Sequence, residues 1–201
     1  MRPRLPLPCL ALVTDRALCQ GQSLEEKVRL AVEGGVNLVQ LREKDLPGGT
    51  LLELALRLKA IVKGRALLFI NERVDVALAC GADGIQLGEE ALPLPVARRF
   101  VGDALLLGRS VHSVEGAIGA ERAGADLLVV GTMFPTGSHP VEQPAGPGLL
   151  ARVSRQVTIP CLAIGGIRVE NVAQVIQAGG SGVAVISAIL AAQNPTQAAL
   201  D

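Results

Sequence analysis

The chain of 201 residues balances 19 Lys and Arg against 19 Asp and Glu, so it lacks the electrostatic footprint of a protein that grips nucleic acid or an anionic membrane. Aromatic residues make up 1%, with no Trp or Tyr, which excludes stacking platforms for bases or sugars and leaves Leu, Val, Ile and Ala to build the core. The expectation is one domain spanning residues 1–201 that serves a small-molecule partner, with no nucleic acid and no membrane.

The first stretch, Met1-Arg2-Pro3-Arg4 followed by Leu5-Pro6-Leu7-Pro8, mimics the basic start of a secretory signal, but prolines interrupt its apolar part and Asp15 follows early. Cys9, Cys19, Cys80 and Cys161 show no C-x-x-C spacing and read as small buried hydrophobes. Both features predict a cytoplasmic protein.

From there one unit recurs. Short apolar runs predict strands at residues 10–14, 38–41, 67–71, 84–87, 105–108, 127–131, 161–165 and 182–187. Amphipathic stretches predict helices at 24–32, 51–62, 74–79, 95–100, 114–123, 149–157 and 169–177. Such alternation demands a parallel sheet with right-handed crossovers, and eight units predict closure into a (β/α)8 TIM barrel. A doubly wound open sheet is the alternative, but no G-x-G-x-x-G follows the first strand, where Leu12-Val13-Thr14-Asp15 leads into Arg16-Ala17-Leu18. Gly34-Gly35-Val36-Asn37, Gly81-Ala82-Asp83-Gly84, Gly124-Ala125-Asp126 and Gly179-Gly180-Ser181 each sit between a helix and the next strand. Glycine there supplies the left-handed helix cap, and the echo fits a four-fold pseudo-repeat of paired βα units.

In a barrel, chemistry belongs at the carboxyl ends of the strands. Strand two closes with Gln40-Leu41-Arg42-Glu43-Lys44, whose period-two face carries Gln40, Arg42 and Lys44, a row suited to a carboxylate or phosphate. Strands three and four end in Asn71-Glu72-Arg73 and Gln86-Leu87-Gly88-Glu89; Glu72 and Arg73 could simply pair at the surface. Strand five leads into Gly108-Arg109-Ser110-Val111-His112-Ser113. If extended, it presents Ser110 and His112 on one face and Arg109 and Val111 on the other. His112 is one of two histidines and can accept and return a proton near neutrality, although a lone histidine can also merely cap an element. Strand six runs into a long Pro- and Gly-rich stretch from Gly131 to Gly148, containing Thr132 and His139, which reads as a binding loop or lid. Strand seven ends at Ile164-Gly165-Gly166-Ile167 and strand eight at Ile186-Ser187, the two loops whose backbone N–H groups hold a phosphate in many barrels.

Val13-Thr14-Asp15, Gln40-Leu41-Arg42-Glu43-Lys44, Asn71-Glu72-Arg73-Val74-Asp75-Val76-Ala77, Gly81-Ala82-Asp83-Gly84, Ile164-Gly165-Gly166-Ile167 and Gly182-Val183-Ala184-Val185-Ile186-Ser187 together resemble the thiamine phosphate synthase/TenI superfamily. The likeness covers nearly the whole chain in order. It implies a TIM barrel that binds a thiazole phosphate, with the phosphate on Gly165, Gly166, Ile186 and Ser187. The synthases of this superfamily place Mg²⁺ on two aspartates and a lysine on a pyrimidine diphosphate. At those positions this chain carries Glu72, Ala91 and His139. Its Gly108-Arg109-Ser110-Val111-His112-Ser113 instead resembles the TenI branch of thiazole tautomerases. That branch moves a proton from the ring carbon bearing a carboxylate to an exocyclic carbon, with no cofactor. The resemblance makes His112 the acid and base, with Arg42 and Lys44 on the carboxylate and Gln40, Asn71, Ser110 and Thr132 around the ring. His139 is a further candidate contact to the phosphate. The expected activity is therefore thiazole tautomerase, an isomerase. The alternatives are a Mg²⁺-dependent thiamine phosphate synthase and a non-catalytic regulatory or ligand-binding TenI-type protein. A homodimer through the outer helices is a further expectation.

Overall fold

A computed structural model of the protein describes residues 3–137 and 143–201. Eight parallel strands, β1 (Cys9–Val13), β2 (Leu38–Leu41), β3 (Leu67–Asn71), β4 (Gly84–Leu87), β5 (Leu106–Val111), β6 (Leu127–Val130), β7 (Cys161–Ile164) and β8 (Gly182–Val185), close into a barrel in chain order. β8 pairs back onto β1 through Cys9 opposite Gly182 and Leu12 opposite Val185. The outer ring is α1 (Leu24–Glu33), α2 (Gly48–Val62), α3 (Val74–Ala79), α4 (Leu94–Val101), α5 (Val114–Arg122), α6 (Gly146–Ser154), α7 (Val169–Gln177), α8 (Ser187–Leu190) and α9 (Pro195–Leu200). The open-sheet alternative is thereby excluded: closure leaves no unpaired edge among the eight strands.

Period-two alternation divides each strand between two cores. Leu12, Val39, Leu41, Leu68, Ile70, Ile85 and Leu107 face the helices, whereas Cys9, Ala11, Leu38, Phe69, Leu106, Leu127 and Leu162 fill the barrel. Phe69 is the one fully buried aromatic ring, and its register partner is Gly84. A side chain at 84 would collide with that ring, so the glycine leaves the space the phenyl group occupies.

The glycine echo becomes a repeated clamp at the amino ends of the strands. Gly35, Gly81, Gly124 and Gly179 all have positive φ, between 63° and 108°, and each turns the chain toward a polar residue that heads an even strand. The side chains of these residues accept the N–H of an early residue on the preceding odd strand. Asn37 takes Leu10 at 2.9 Å, Asp83 takes Leu68 at 2.8 Å, Asp126 takes Leu107 at 2.8 Å and Ser181 takes Cys161 at 3.3 Å. In return each donates its own N–H to the carbonyl of the same residue, at 3.1, 2.8, 2.7 and 2.8 Å.

Element ends differ from the sequence expectation where partners or caps override local pattern. β5 reaches Val111 rather than Gly108, because Arg109, Ser110 and Val111 pair with Leu128, Val129 and Val130. β8 stops at Val185, and Ser187 opens α8, which the sequence pattern folded into the strand. α6 starts at Gly146, ahead of the expected 149, with Pro147 in its first turn, where a missing N–H leaves no intrahelical bond broken. The stretch after β6 is not featureless. Met133 and Phe134 donate to the carbonyls of Ile164 and Gly165 at 2.9 and 3.0 Å and so continue the β6–β7 contact past the strand ends. All four cysteines are free and buried. No helix among the described residues is long and apolar enough to cross a membrane.

Candidate active site

The carboxyl ends of the strands enclose a cavity of about 760 Å³. Its floor is the last inward layer of the barrel, and it is chemically divided. From β2 to β5 the inward residues are Gln40, Asn71, Gln86 and Ser110; from β6 to β8, and on β1, they are Val129, Ile164, Ala184 and Val13. Gln40 Nε2 donates to Asn71 Oδ1 at 3.0 Å, and Gln86 Nε2 donates to Ser110 Oγ at 3.0 Å. Each amide is therefore fixed by the neighbouring strand. Gly108 makes the second pair possible, since a Cβ there would run into the Gln86 carboxamide oxygen. Such a floor suits a flat ring with one polar edge.

Above the floor, Arg42 and Lys44 line the cavity from the β2 end, as their period-two phase with Gln40 requires. The intervening Glu43 points the other way and is buried against Arg16, whose Nη1 lies 2.9 Å from its Oε2. Glu72, Glu89 and Glu90 line the β3–β4 side. The surface pairing of Glu72 with Arg73 does not form. Arg73 instead binds Asp75 at 2.6 Å, and its guanidinium holds the Asp75 carboxyl down to about 2. Glu72 has a left-handed φ of 61° and presents its carboxylate beside Gly88, where a Cβ would come within 2.7 Å of it.

His112 follows β5 and faces the cavity together with Ser110, while Arg109 and Val111 do not line it, the parity predicted for an extended segment. Its imidazole is 55% exposed, with Nδ1 3.1 Å from Glu89 Oε2. Ser113 then caps α5 by accepting the Gly116 N–H at 3.0 Å, so the chain turns into helix directly behind the histidine.

On the opposite wall Gly165 and Gly166 have φ of 104° and 61°, and side chains there would strike Thr132 or the backbone of Pro135. Only glycine fits this turn. Asn171 fastens it, donating Nδ2 to the Gly166 carbonyl at 2.9 Å and accepting the Arg168 N–H at 2.8 Å. Ile186 and Ser187, with Thr132, complete this side.

Thus Gln40, Arg42, Lys44, Asn71, Ser110, His112, Thr132, Gly165, Gly166, Ile186 and Ser187 line one cavity. His139 lies outside the described residues. Sequence reasoning assigned no role to Gln86, Glu89 or Arg168, which also line it. Gln86 was within reach, being in phase with Gly84 on β4. Glu89 is out of phase with Gln86, and Arg168 follows the Gly165-Gly166 turn, whose positive φ values break the two-residue period.

A family model described as "Thiamine monophosphate synthase" (TMP-TENI) matches residues 10–189. The chain belongs to the thiamine monophosphate synthase/TenI family. Within that TMP-TENI family it is 45% identical over 187 residues to a thiamine-phosphate synthase of Syntrophomonas wolfei, covering 92% of this chain and 90% of that one. It is 44% identical over 195 residues to a thiamine-phosphate synthase of Methanoculleus marisnigri, covering 94% and 91%. The solved thiamine phosphate pyrophosphorylase from Pyrococcus furiosus superposes with a TM-score of 0.88 at 39% identity, covering 96% of this chain and 92% of that one. A 3-hexulose-6-phosphate synthase at 18% identity and a TM-score of 0.70 shares the fold.

Proposed function

We propose that this TMP-TENI protein is a thiazole tautomerase, converting a non-aromatic thiazole carboxylate phosphate into its aromatic tautomer by proton transfer through His112. The observation that carries this reading is an exposed imidazole at the wall of a cavity whose floor is polar on the β2–β5 side and apolar on the other. A thiazole ring laid on that floor has its heteroatom edge over Gln40, Asn71, Gln86 and Ser110. Arg42 and Lys44 orient the carboxylate by charge-assisted hydrogen bonds. The phosphate lies on the backbone of Gly165, Gly166, Ile186 and Ser187, with Thr132 beside it, where glycine permits close approach. His112 takes the proton from the ring carbon and returns one to the exocyclic carbon, an exchange that needs neither oxidant nor reductant.

A second reading, thiamine-phosphate synthase, is favoured by the names of the relatives, which are synthases at 45% and 44% identity. That reaction needs Mg²⁺ on a diphosphate, and the donor set here fits the ion poorly. Of the two positions implied for aspartates, Glu72 keeps a carboxylate on the cavity wall and Ala91 has no donor, so one of the two protein ligands is lost.

One pair of assays separates the readings. The non-aromatic thiazole carboxylate phosphate is incubated without metal in deuterated buffer with the wild type and with His112→Ala. Hydroxymethylpyrimidine diphosphate plus thiazole phosphate is incubated with Mg²⁺ in parallel. Rapid aromatisation with deuterium at the exocyclic carbon, reduced at least ~100-fold in the variant, is the expected result. Condensation in the second assay without acceleration in the first establishes the synthase instead. Product binding with turnover in neither leaves a ligand-binding protein.

A further inference from the structure

Both oxygens of one carboxylate hold His112. Glu89 Oε2 lies 3.1 Å from Nδ1, and Glu89 Oε1 accepts the His112 backbone N–H at 3.2 Å. Glu89 is in turn anchored from behind, because Arg109 on the other face of β5 donates Nη2 to its carbonyl at 2.7 Å. A carboxylate 3.1 Å from Nδ1 favours the hydrogen on that nitrogen, and in the neutral tautomer that carries it there the other nitrogen, Nε2, is bare.

We propose that Glu89 is a positioning residue, which fixes His112 in the Nδ1–H tautomer and makes Nε2 the single atom that accepts and returns the proton. This rests on the reading of His112 as proton carrier. In the forward step the ring C–H bond breaks and the Nε2–H bond forms. The released electron pair moves through the ring, and the exocyclic double bond shifts inward. The proton on Nε2 exchanges with solvent at the exposed imidazole. The exocyclic carbon then takes a solvent-derived proton from Nε2, and His112 is neutral again. Through both halves Nδ1 keeps its hydrogen on Glu89, which stabilises the transient imidazolium without taking part in bond exchange. Losing Glu89 frees the ring hydrogen to sit on Nε2, a form that can neither accept the substrate proton nor hold its orientation.

The test reads the tautomer directly. Long-range ¹H–¹⁵N spectra of the labelled full chain at about pH 8, above the ordinary histidine range, report which imidazole nitrogen is protonated. Because the chain has two histidines, His139→Gln assigns the signals of His112. The expected result is Nδ1–H in the wild type and a shift toward Nε2–H in Glu89→Ala, with kcat down about tenfold and KM within about twofold. An Nε2–H wild type, a tautomer unchanged in Glu89→Ala, or an altered tautomer with undiminished kcat overturns the proposal. A tautomer shift with no turnover by either protein upholds the Glu89–His112 pairing and refutes the tautomerase reading, so the two failures are distinct.

Discussion

Replacing Asp83 by Ala opens one of the four clamps at the amino ends of the strands, far from the cavity at the other end of the barrel. Asp83 Oδ2 accepts the N–H of Leu68 at 2.8 Å and the Lys59 ammonium at 2.7 Å. Leu68 is fully buried, so its N–H has no access to water once the acceptor is gone, which costs about 1–3 kcal/mol. The Lys59–Asp83 pair, with side chains 29% and 20% exposed, adds up to about 1 kcal/mol after solvent screening. The sum, about 1–4 kcal/mol, lowers Tm by roughly 2–16 °C in a chain of this size. Asp83→Asn keeps a carbonyl oxygen for Leu68 and loses only the charge, so its loss is about 1 kcal/mol. Urea denaturation followed by circular dichroism gives both values, and ligand affinity at low temperature is unchanged in both variants. An Asp83→Ala loss under about 0.5 kcal/mol, or an Asn variant as unstable as the Ala variant, refutes the assignment of the clamp energy to the buried N–H.

Gly108→Ala pushes the flexible Gln86 carboxamide off Ser110 rather than disturbing backbone. Stability therefore changes by less than about 1 kcal/mol, while calorimetry shows product affinity down about fivefold. Gly166→Ala meets the Pro135 carbonyl and Phe134 at a φ of 61°, so it loses about 1–3 kcal/mol of stability and most of the phosphate affinity. Burial pushes the thiols of Cys9 and Cys161 up to about 12 and about 11. A raised folded value means the contribution is complete below the ordinary thiol range near about 8.5 and is lost as pH climbs through the folded value. The urea midpoint consequently falls from about pH 9 upward, and Cys9→Ala blunts the fall. Alkylation at neutral pH followed by mass spectrometry finds Cys9 and Cys161 unmodified until the chain unfolds.

What the sequence determined by itself is the barrel and the facing of its strands. Alternating periods of apolar residues specify βα units. The two-residue period put Gln40, Arg42 and Lys44 on one face of their strand and Ser110 and His112 on one face of theirs, because successive side chains on an extended segment point to opposite sides. The loop glycines at Gly35, Gly81, Gly124 and Gly179 were equally legible, since a left-handed cap selects glycine on local sterics alone. What only the tertiary structure decided lies between strands and beyond their ends. Pairing with β6 carried β5 on to Val111, and the register across strands joined Gln40 to Asn71 and Gln86 to Ser110. Asp75 rather than Glu72 took Arg73. The loop after β4 brought Glu89 to His112 across a separation of 23 residues. No periodicity encodes such meetings, because they depend on how two turns, each with its own backbone angles, come to rest against one another once the barrel has closed.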